Sequence, residues 1–383
     1  MSLPRGFRAG AATAGIKASG RPDLAILASE VPCVAAGATT RNLFAAPCVH
    51  RTRRLLAAAG PARAVVINSG NANCATGEAG VRADEELAAL AAATLGVAPE
   101  EVFTASTGII GHQLPVEKIR AGLGAVRLAE TEEALIAASQ AIMTTDLVPK
   151  RAAADVAGVR ICGIAKGSGM IHPDMATMLA FVLTDAQVDA AEWRRIVAEA
   201  VDATFNTITV DGDTSTNDLC IALANGVAGP VGAAELAAAA TRVMGDLAEA
   251  IARDGEGAKT LIRVRVRGAA TLGEARQAAR AIAGSSLFKA AVHGRDPNWG
   301  RILAAAGRSG ARMDAERATC TLQGTTLFAA GTPTAVDAAA VSHALVSDVV
   351  EVEVDLGVGA AEGTALGCDL TEEYVRINAD YHT

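Results

Sequence analysis

Aromatic side chains are scarce in this chain: they make up 3% of it, against 51% hydrophobic residues. With so few rings to fill space, the interior has to be built from Ala, Val, Leu and Ile. Basic blocks are missing too. The net charge is −8 and Lys and Arg form no extended block, which argues against nucleic acid as a partner. Apolar runs fall short of the roughly 18 residues that a spanning helix needs, and residues 1–6 lead into no apolar signal core. A cytoplasmic protein with no membrane partner is therefore expected. Seven cysteines lie scattered from Cys33 to Cys368 without metal-ligand spacing, so reduced, buried thiols are expected and no metal. No repeat, low-complexity tract or long linker divides the 383 residues, although that length allows two or three core-bearing units.

Two stretches imitate known sites and fail on spacing. Asp211, Asp213, Ser215 and Asn217 imitate a calcium loop, but Thr216 stands where that loop needs Gly and Ala222 where it needs Glu. Residues 257–260 imitate a phosphate loop but lack its four-residue spacer and Gly-Lys pair.

What remains is an interleaving of strands and helices. Strands are predicted over 24–28, 64–67, 101–105, 157–165 and 178–183, the last stopped by Thr184 and Asp185. Helices are predicted over 82–95, with Asp84, Glu85 and Glu86 in its first turn, and over 130–143, 189–205 and 233–253. Two segments alternate strictly. Ile262, Val264 and Val266 are interleaved with Arg263, Arg265 and Arg267, and Val350, Val352 and Val354 with Glu351, Glu353 and Asp355, so each strand has one buried and one wet face. The fold class is α/β.

The most organised stretch is 166–183. Gly167, Gly169 and Pro173 make a loop, and the apolar run from Met178 reads as a buried strand, so Thr177 sits where a flexible segment enters a rigid one. On spacing alone a Thr there is an ordinary first strand residue. Glu256 is boxed between Gly255 and Gly257, a costly place for a carboxylate unless it faces solvent or a ligand. An Asn-rich loop, 68–74, follows strand 64–67. Segment 291–301, with Asp296-Pro297-Asn298-Trp299-Gly300, reads as a turn holding a large indole.

Taken together, the string 166–179, the Asn-rich loop, Thr107-Gly108 and the C-terminal tail resemble the ornithine acetyltransferase family (glutamate N-acetyltransferase of arginine biosynthesis), over nearly the full chain. The resemblance implies a layered α/β sandwich like that of the ornithine acetyltransferase and self-cleaving aminopeptidase superfamily. It implies self-cleavage between Ala176 and Thr177, giving an alpha chain, 1–176, and a beta chain, 177–383, assembled as alpha2beta2. Thr177 is then the nucleophile and Thr107 and Gly108 the oxyanion hole. Thr144, Lys166, Thr177, Glu256, Asn378 and the terminal Thr383 bind substrate. The implied reaction moves an acetyl group from N-acetylornithine to glutamate through an acetyl-Thr177 ester. It needs no cofactor, and the residues leave open whether acetyl-CoA is a second donor. The implied place of segment 291–301 is beside the site, with no catalytic role. His172 stands where the family more usually has a small or acidic residue, and reads either as a residue tuning processing or specificity or as neutral surface variation. The alternative is a self-cleaving aminopeptidase or amidase of the same superfamily, in which water resolves the acyl-enzyme. A non-catalytic scaffold would instead stay as one intact chain.

Overall fold

The computed structural model describes residues 2–172 and 178–380, so Ala176, Thr177 and Thr383 lie outside the described residues. Among the described residues the larger sheet contains β1 (Phe7–Ala12), β2 (Leu24–Thr39), β3 (Ala62–Asn71), β4 (Val102–Ile109), β5 (Lys150–Val156), β6 (Val159–Lys166), β7 (Leu179–Gln187) and β8 (Leu219–Pro230). The second sheet contains β9 (Leu261–Ala269), β10 (Thr319–Leu322), β11 (Thr325–Ala329), β12 (Thr332–Pro333), β13 (Val349–Asp355) and β14 (Ala361–Cys368). The helices are α1 (Pro47–Ala58), α2 (Gly77–Leu95), α3 (Val116–Leu123), α4 (Glu132–Ala141), α5 (Ala190–Ala203), α6 (Ala233–Arg253), α7 (Leu272–Ala283), α8 (Ser286–His293), α9 (Trp299–Gly307), α10 (Ala338–Ala344) and α11 (Glu372–Asp380).

The larger sheet runs β4-β3-β2-β8-β7-β6-β5, with β1 also on β2. Strand β2 joins its two halves. Its first part pairs with β1 and β3, the register shifts between Ala28 and Cys33, and residues from Val34 onward pair with β8. The halves then pack face to face: Phe7, Leu27 and Ile67 from one share a buried cluster with Ile164, Phe181 and Ile221 from the other. On the outer face of the first half, Leu24, Ile26 and Val66 lie under α2 and α3. On the outer face of the second, Ala180 and Val182 lie under α5 and α6, with Trp193 and Leu247 fully buried. The result is an α/β/β/α sandwich, the layered α/β fold expected. It also explains the unbroken apolar runs: Val65 and Ile67 face one layer, Ala64 and Val66 the other.

In the second sheet β9 lies between β13, parallel to it, and β14. Ile262, Val264 and Val266 pack under α7, while Arg263, Arg265 and Arg267 face outward to Glu351, Glu353 and Glu362. The alternation was read correctly.

Several boundaries were not. Helix α2 starts at Gly77, so Asp84, Glu85 and Glu86 lie mid-helix and Glu78 stands in the first turn. Strand β7 continues to Gln187, because Thr184 and Asp185 find partners on the neighbouring strand: the Thr184 hydroxyl donates to the Arg160 carbonyl (2.9 Å) and Asp185 accepts from the Arg160 N–H (2.7 Å). Polar residues end a strand when their groups lack partners, not merely by being polar. Segment 157–165 begins in the turn of a hairpin, β5–β6, where Ala157 and Gly158 take positive φ (48° and 83°), and only from Val159 is it strand.

Candidate active site

A cleft of about 320 Å³ opens at the end of the sandwich where β4 and β6 finish. Its first wall is the β3–β4 edge. These strands run parallel with Gly70 opposite Gly108, and Gly108 has φ 130°. A Cβ on Gly108 would approach the Gly70 carbonyl carbon to 2.4 Å, so only glycine lets the two backbones close here. The Asn-rich loop is locked behind this edge rather than open. Asn68 donates to the Asn71 carbonyl (2.8 Å) and accepts from Ser106, and Asn217, arriving ahead of β8, donates to the carbonyls of Ala72 (2.6 Å) and Ser106 (2.9 Å).

The second wall is the C-terminal end of β6. Lys166 is 8% exposed and lines the cleft with Thr144 and Thr145 from the segment after α4. Behind them lies a buried ion cluster. Lys150 Nζ is 2.7 Å from Asp146 Oδ1 and 2.6 Å from Asp254 Oδ2. Asp146 also accepts from the N–H groups of Thr144 (2.9 Å) and Gly167 (2.6 Å), while Asp254 accepts from that of Leu147 (3.0 Å). The cluster thereby fastens the Thr144 segment, the Lys166–Gly167 corner and the end of α6 to one another. Burial alone would raise the Asp146 carboxyl, but the nearby Lys166 and Lys150 cations hold it well below the ordinary carboxylate range.

Loop 168–171 is pinned at each step. The Ser168 and Thr145 hydroxyls are 2.8 Å apart, and Asp211 accepts from the N–H groups of Met170 (2.6 Å) and Ile171 (2.8 Å). The imitation calcium loop therefore spends its first carboxylate on backbone, and among the described residues no cluster of His, Cys, Asp and Glu could hold a metal. His172 is tied in as well, its carbonyl accepting from the Thr214 hydroxyl (2.8 Å) and Nδ1 lying 3.0 Å from Thr209 Oγ1, which corrects its reading as surface variation.

Opposite Lys166, Glu256 emerges after α6. It is 9% exposed, its N–H donates to the Ser168 carbonyl (2.9 Å), and its carboxylate accepts from Asn378 Nδ2 on α11 (2.8 Å). A Cβ on Gly169 would fall 2.4 Å from that carboxylate, so Gly169 is the space in which Glu256 sits. The cleft thus offers a cation, a carboxylate and an amide in a largely buried setting, which suits a zwitterionic ligand. Beside it, a cavity of about 30 Å³ is lined by Thr107, Lys166, Met178 and Asp218. Burial pushes the Asp218 carboxyl well above its ordinary range, and its Oδ2 has no hydrogen-bond partner.

Of the residues named from the sequence, Thr107, Gly108, Thr144, Lys166, Glu256 and Asn378 line this one cleft. Thr144 lies beyond the end of α4, which is capped at Ile142, so it does not cap the helix. Asp146, Lys150 and Asp254 were missed as a site element. Their only signal was three charges near breakers, and nothing in the spacing brings residue 254 to residue 150. Segment 291–301 lines a neighbouring cavity rather than the cleft. Trp299 opens α9 and stacks on Phe328 with centroids 5.2 Å apart, while Val292, His293 and Arg295 line a different cavity. All seven cysteines are buried and unpaired, and among the described residues no helix is long and apolar enough to cross a membrane.

Fold and cleft define an enzyme of the layered α/β class with its site at one end of a sandwich. The ArgJ family profile matches residues 8–383. The arginine biosynthesis bifunctional protein ArgJ of Thermus thermophilus is 57% identical over 387 residues, covering 100% of both chains. The protein of the same name from Deinococcus radiodurans is 52% identical over 100% of this chain and 98% of its own. A crystal structure of the Bacillus halodurans bifunctional protein argJ matches with 41% identity and TM-score 0.51, over 52% of this chain and 98% of that one. The chain belongs to the ArgJ family.

Proposed function

We propose that this ArgJ-family acyltransferase moves the acetyl group of N2-acetyl-L-ornithine to L-glutamate by a ping-pong route, after cutting itself between Ala176 and Thr177. The observation that carries the reading is the convergence of Thr107, Gly108, Thr144, Lys166, Glu256 and Asn378, five separate segments of the chain, on one cleft. The Bacillus halodurans chain is matched almost whole by about half of this one, which supports a mature form in two pieces.

In the proposed maturation the Thr177 hydroxyl attacks the Ala176 carbonyl carbon, the C–N bond breaks, and the hydroxyl proton goes to the departing α-amine. Water hydrolyses the resulting ester, leaving a carboxylate on Ala176 and a free Thr177. A terminal α-amine titrates near ~7.7–8, so a useful fraction is neutral at neutral pH and can take the hydroxyl proton in the next attack. The Thr177 oxygen then adds to the acetyl carbonyl of acetylornithine, with Thr107 and Gly108 donating to the oxyanion. Ornithine leaves with the proton, Lys166 holds the substrate carboxylate, and Glu256, oriented by Asn378, holds its amino group. Glutamate's amine attacks the acetyl ester and N-acetylglutamate departs. One amide replaces another of similar energy, so the transfer needs no coenzyme. A direct assay with acetyl-CoA decides whether it is a second donor.

Intact-mass measurement with N-terminal sequencing tests the cut: two fragments are expected, one beginning at Thr177, and Thr177→Ala should remain one inactive chain. Incubation with acetylornithine alone should add one acetyl mass to the Thr177 fragment, discharged by glutamate and only slowly by water. Fast discharge by water regardless of glutamate would favour an amidase, and a fragment starting elsewhere would overturn the assignment.

A further inference from the structure

The most distinctive string left unused by this function, 291–301, lines a second cavity of about 290 Å³, whose walls include Lys259, Val292, His293, Arg295, Asp348 and Asp369. That size is at the low end for a ligand site and fits a small molecule.

Its floor carries an unsatisfied group. The Asp369 side chain is 1% exposed, and its Oδ1 accepts from the N–H groups of Lys259 (2.8 Å) and Thr260 (3.0 Å), but its Oδ2 is buried with no hydrogen-bond partner. His293 Nδ1 lies 3.4 Å from that oxygen without making a hydrogen bond to it, and its Nε2 faces Glu372 at 3.3 Å. A buried carboxylate oxygen left without a donor carries a desolvation cost that an incoming N–H donor would remove. At the rim, Lys259 and Arg295 are exposed cations with no carboxylate oxygen in ion-pair contact among the described residues, Glu372 and Glu373 lying within electrostatic reach of Lys259. A buried anion wanting a donor beneath two exposed cations is complementary to a zwitterion.

We propose that this cavity is a second binding site for a small α-amino acid, its ammonium on Asp369 Oδ2 and its carboxylate toward Lys259 and Arg295. The site is wired to the cleft through shared segments. Asp369 clamps Lys259 and Thr260, three and four residues after Glu256, and the Thr371 hydroxyl donates to the Gly257 carbonyl (2.7 Å) at the start of the helix that carries Asn378. Gly257 is held at φ 71°, where a Cβ would meet the Tyr374 nitrogen at 2.6 Å. An occupant that orders Asp369 therefore acts on both segments that deliver the Glu256–Asn378 pair.

The test rests partly on the proposed function, which makes ornithine a cleft ligand, and is arranged to separate the two. Equilibrium dialysis of the full protein with labelled L-ornithine should count two sites per chain. Lys259→Glu combined with Arg295→Glu, both exposed, should bring the count to one while leaving acetyl transfer measurable. Glu256→Ala should remove the other site. A count that the double variant does not lower overturns the second site. A count that falls with the double variant but not with Glu256→Ala upholds it and overturns the cleft assignment instead. Asp369→Asn, which keeps the Oδ1 acceptor, should lower affinity at the second site at least tenfold, and unchanged affinity would count against it.

Discussion

Two of the ion-pair clusters among the described residues set basic against acidic side chains in opposite settings. In the second sheet Arg263, Arg265 and Arg267 ladder across to Glu351, Glu353 and Glu362 at 2.6–3.8 Å, with side chains 34–52% exposed. Behind the cleft Lys150 sits between Asp146 and Asp254 at 2.7 and 2.6 Å, with side chains 0–7% exposed. Three of the ladder's four contacts are as short as the buried ones, but the consequences differ. Exposed pairs gain little, because water screens them and two long side chains must be ordered. The buried group has given up its hydration, so each member depends on the others and on the backbone N–H groups they accept from. Coverage decides whether charge makes a surface or a fixed frame.

The largest effect expected from breaking this contrast is on Lys150. Lys150→Ala leaves two buried carboxylates facing each other and should cost about 3–5 kcal/mol in urea unfolding. Because Asp146 is held below its usual range, its contribution is present above the unfolded value near 3.8 and is lost as pH falls below it, so the variant should also lose part of that acid dependence, Lys166 retaining the rest. A cost no larger than that of a ladder arginine would erase the distinction.

Glu256 is a third case, a buried carboxylate whose partner, Asn378, carries no charge. Its charge is therefore available to a ligand. Glu256→Gln should lower kcat/KM for acetylornithine on the order of 10–100-fold, the range for losing a hydrogen bond to a charged group, with Asn378→Ala weaker. Stability and the proposed self-cleavage should change little. Unchanged kcat/KM in both variants would remove the pair from substrate binding.

Asp84 sharpens the comparison from the other side, as a buried carboxyl only partly compensated. Burial raises it to about 6, against the hydrogen bond that it accepts from Thr104 at 2.7 Å. A raised folded value means that its contribution is present below the unfolded value and lost as pH rises through about 6. Asp84→Asn should match the parent near pH 4 and exceed it at pH 8 on the order of 1–2 kcal/mol, read by chemical denaturation. Equal pH profiles would show that Asp84 titrates in the folded protein as it does in the unfolded chain.

These contrasts also mark what the sequence made legible. The ladder could be read from alternation alone, because strand geometry sends Arg263 and Val264 to opposite faces. The cleft residues were reached through the 166–179 string and the resemblance it carries, not through periodicity. The frame behind them was invisible. Asp254 meets Lys150 only because α6 ends beside the β5 edge, a packing fact with no local signature. The start of α2 was missed for a related reason: Asp84 looked like a first-turn acid until the structure placed it on a buried face against Thr104.

The smallest effect tests the exposed side. Arg263 bonds Glu351 at 2.6 Å and Glu249 at 2.8 Å, the best-connected member of the ladder, so it is where exposed pairing has its best chance to matter. Its aliphatic stem lies along a strand whose apolar residues point the other way, so truncation removes charge without opening the core. Arg263→Gln keeps most of that stem and should cost less than about 1 kcal/mol at low salt. Raising ionic strength to about 1 M, where the Debye length falls to ~3 Å, should shrink the difference further. The Lys150→Ala deficit, sheltered from counterions, should persist at the same salt. If the Arg263 deficit instead persisted undiminished, the ladder would be acting through packing, and its exposure would be a poor guide to its strength.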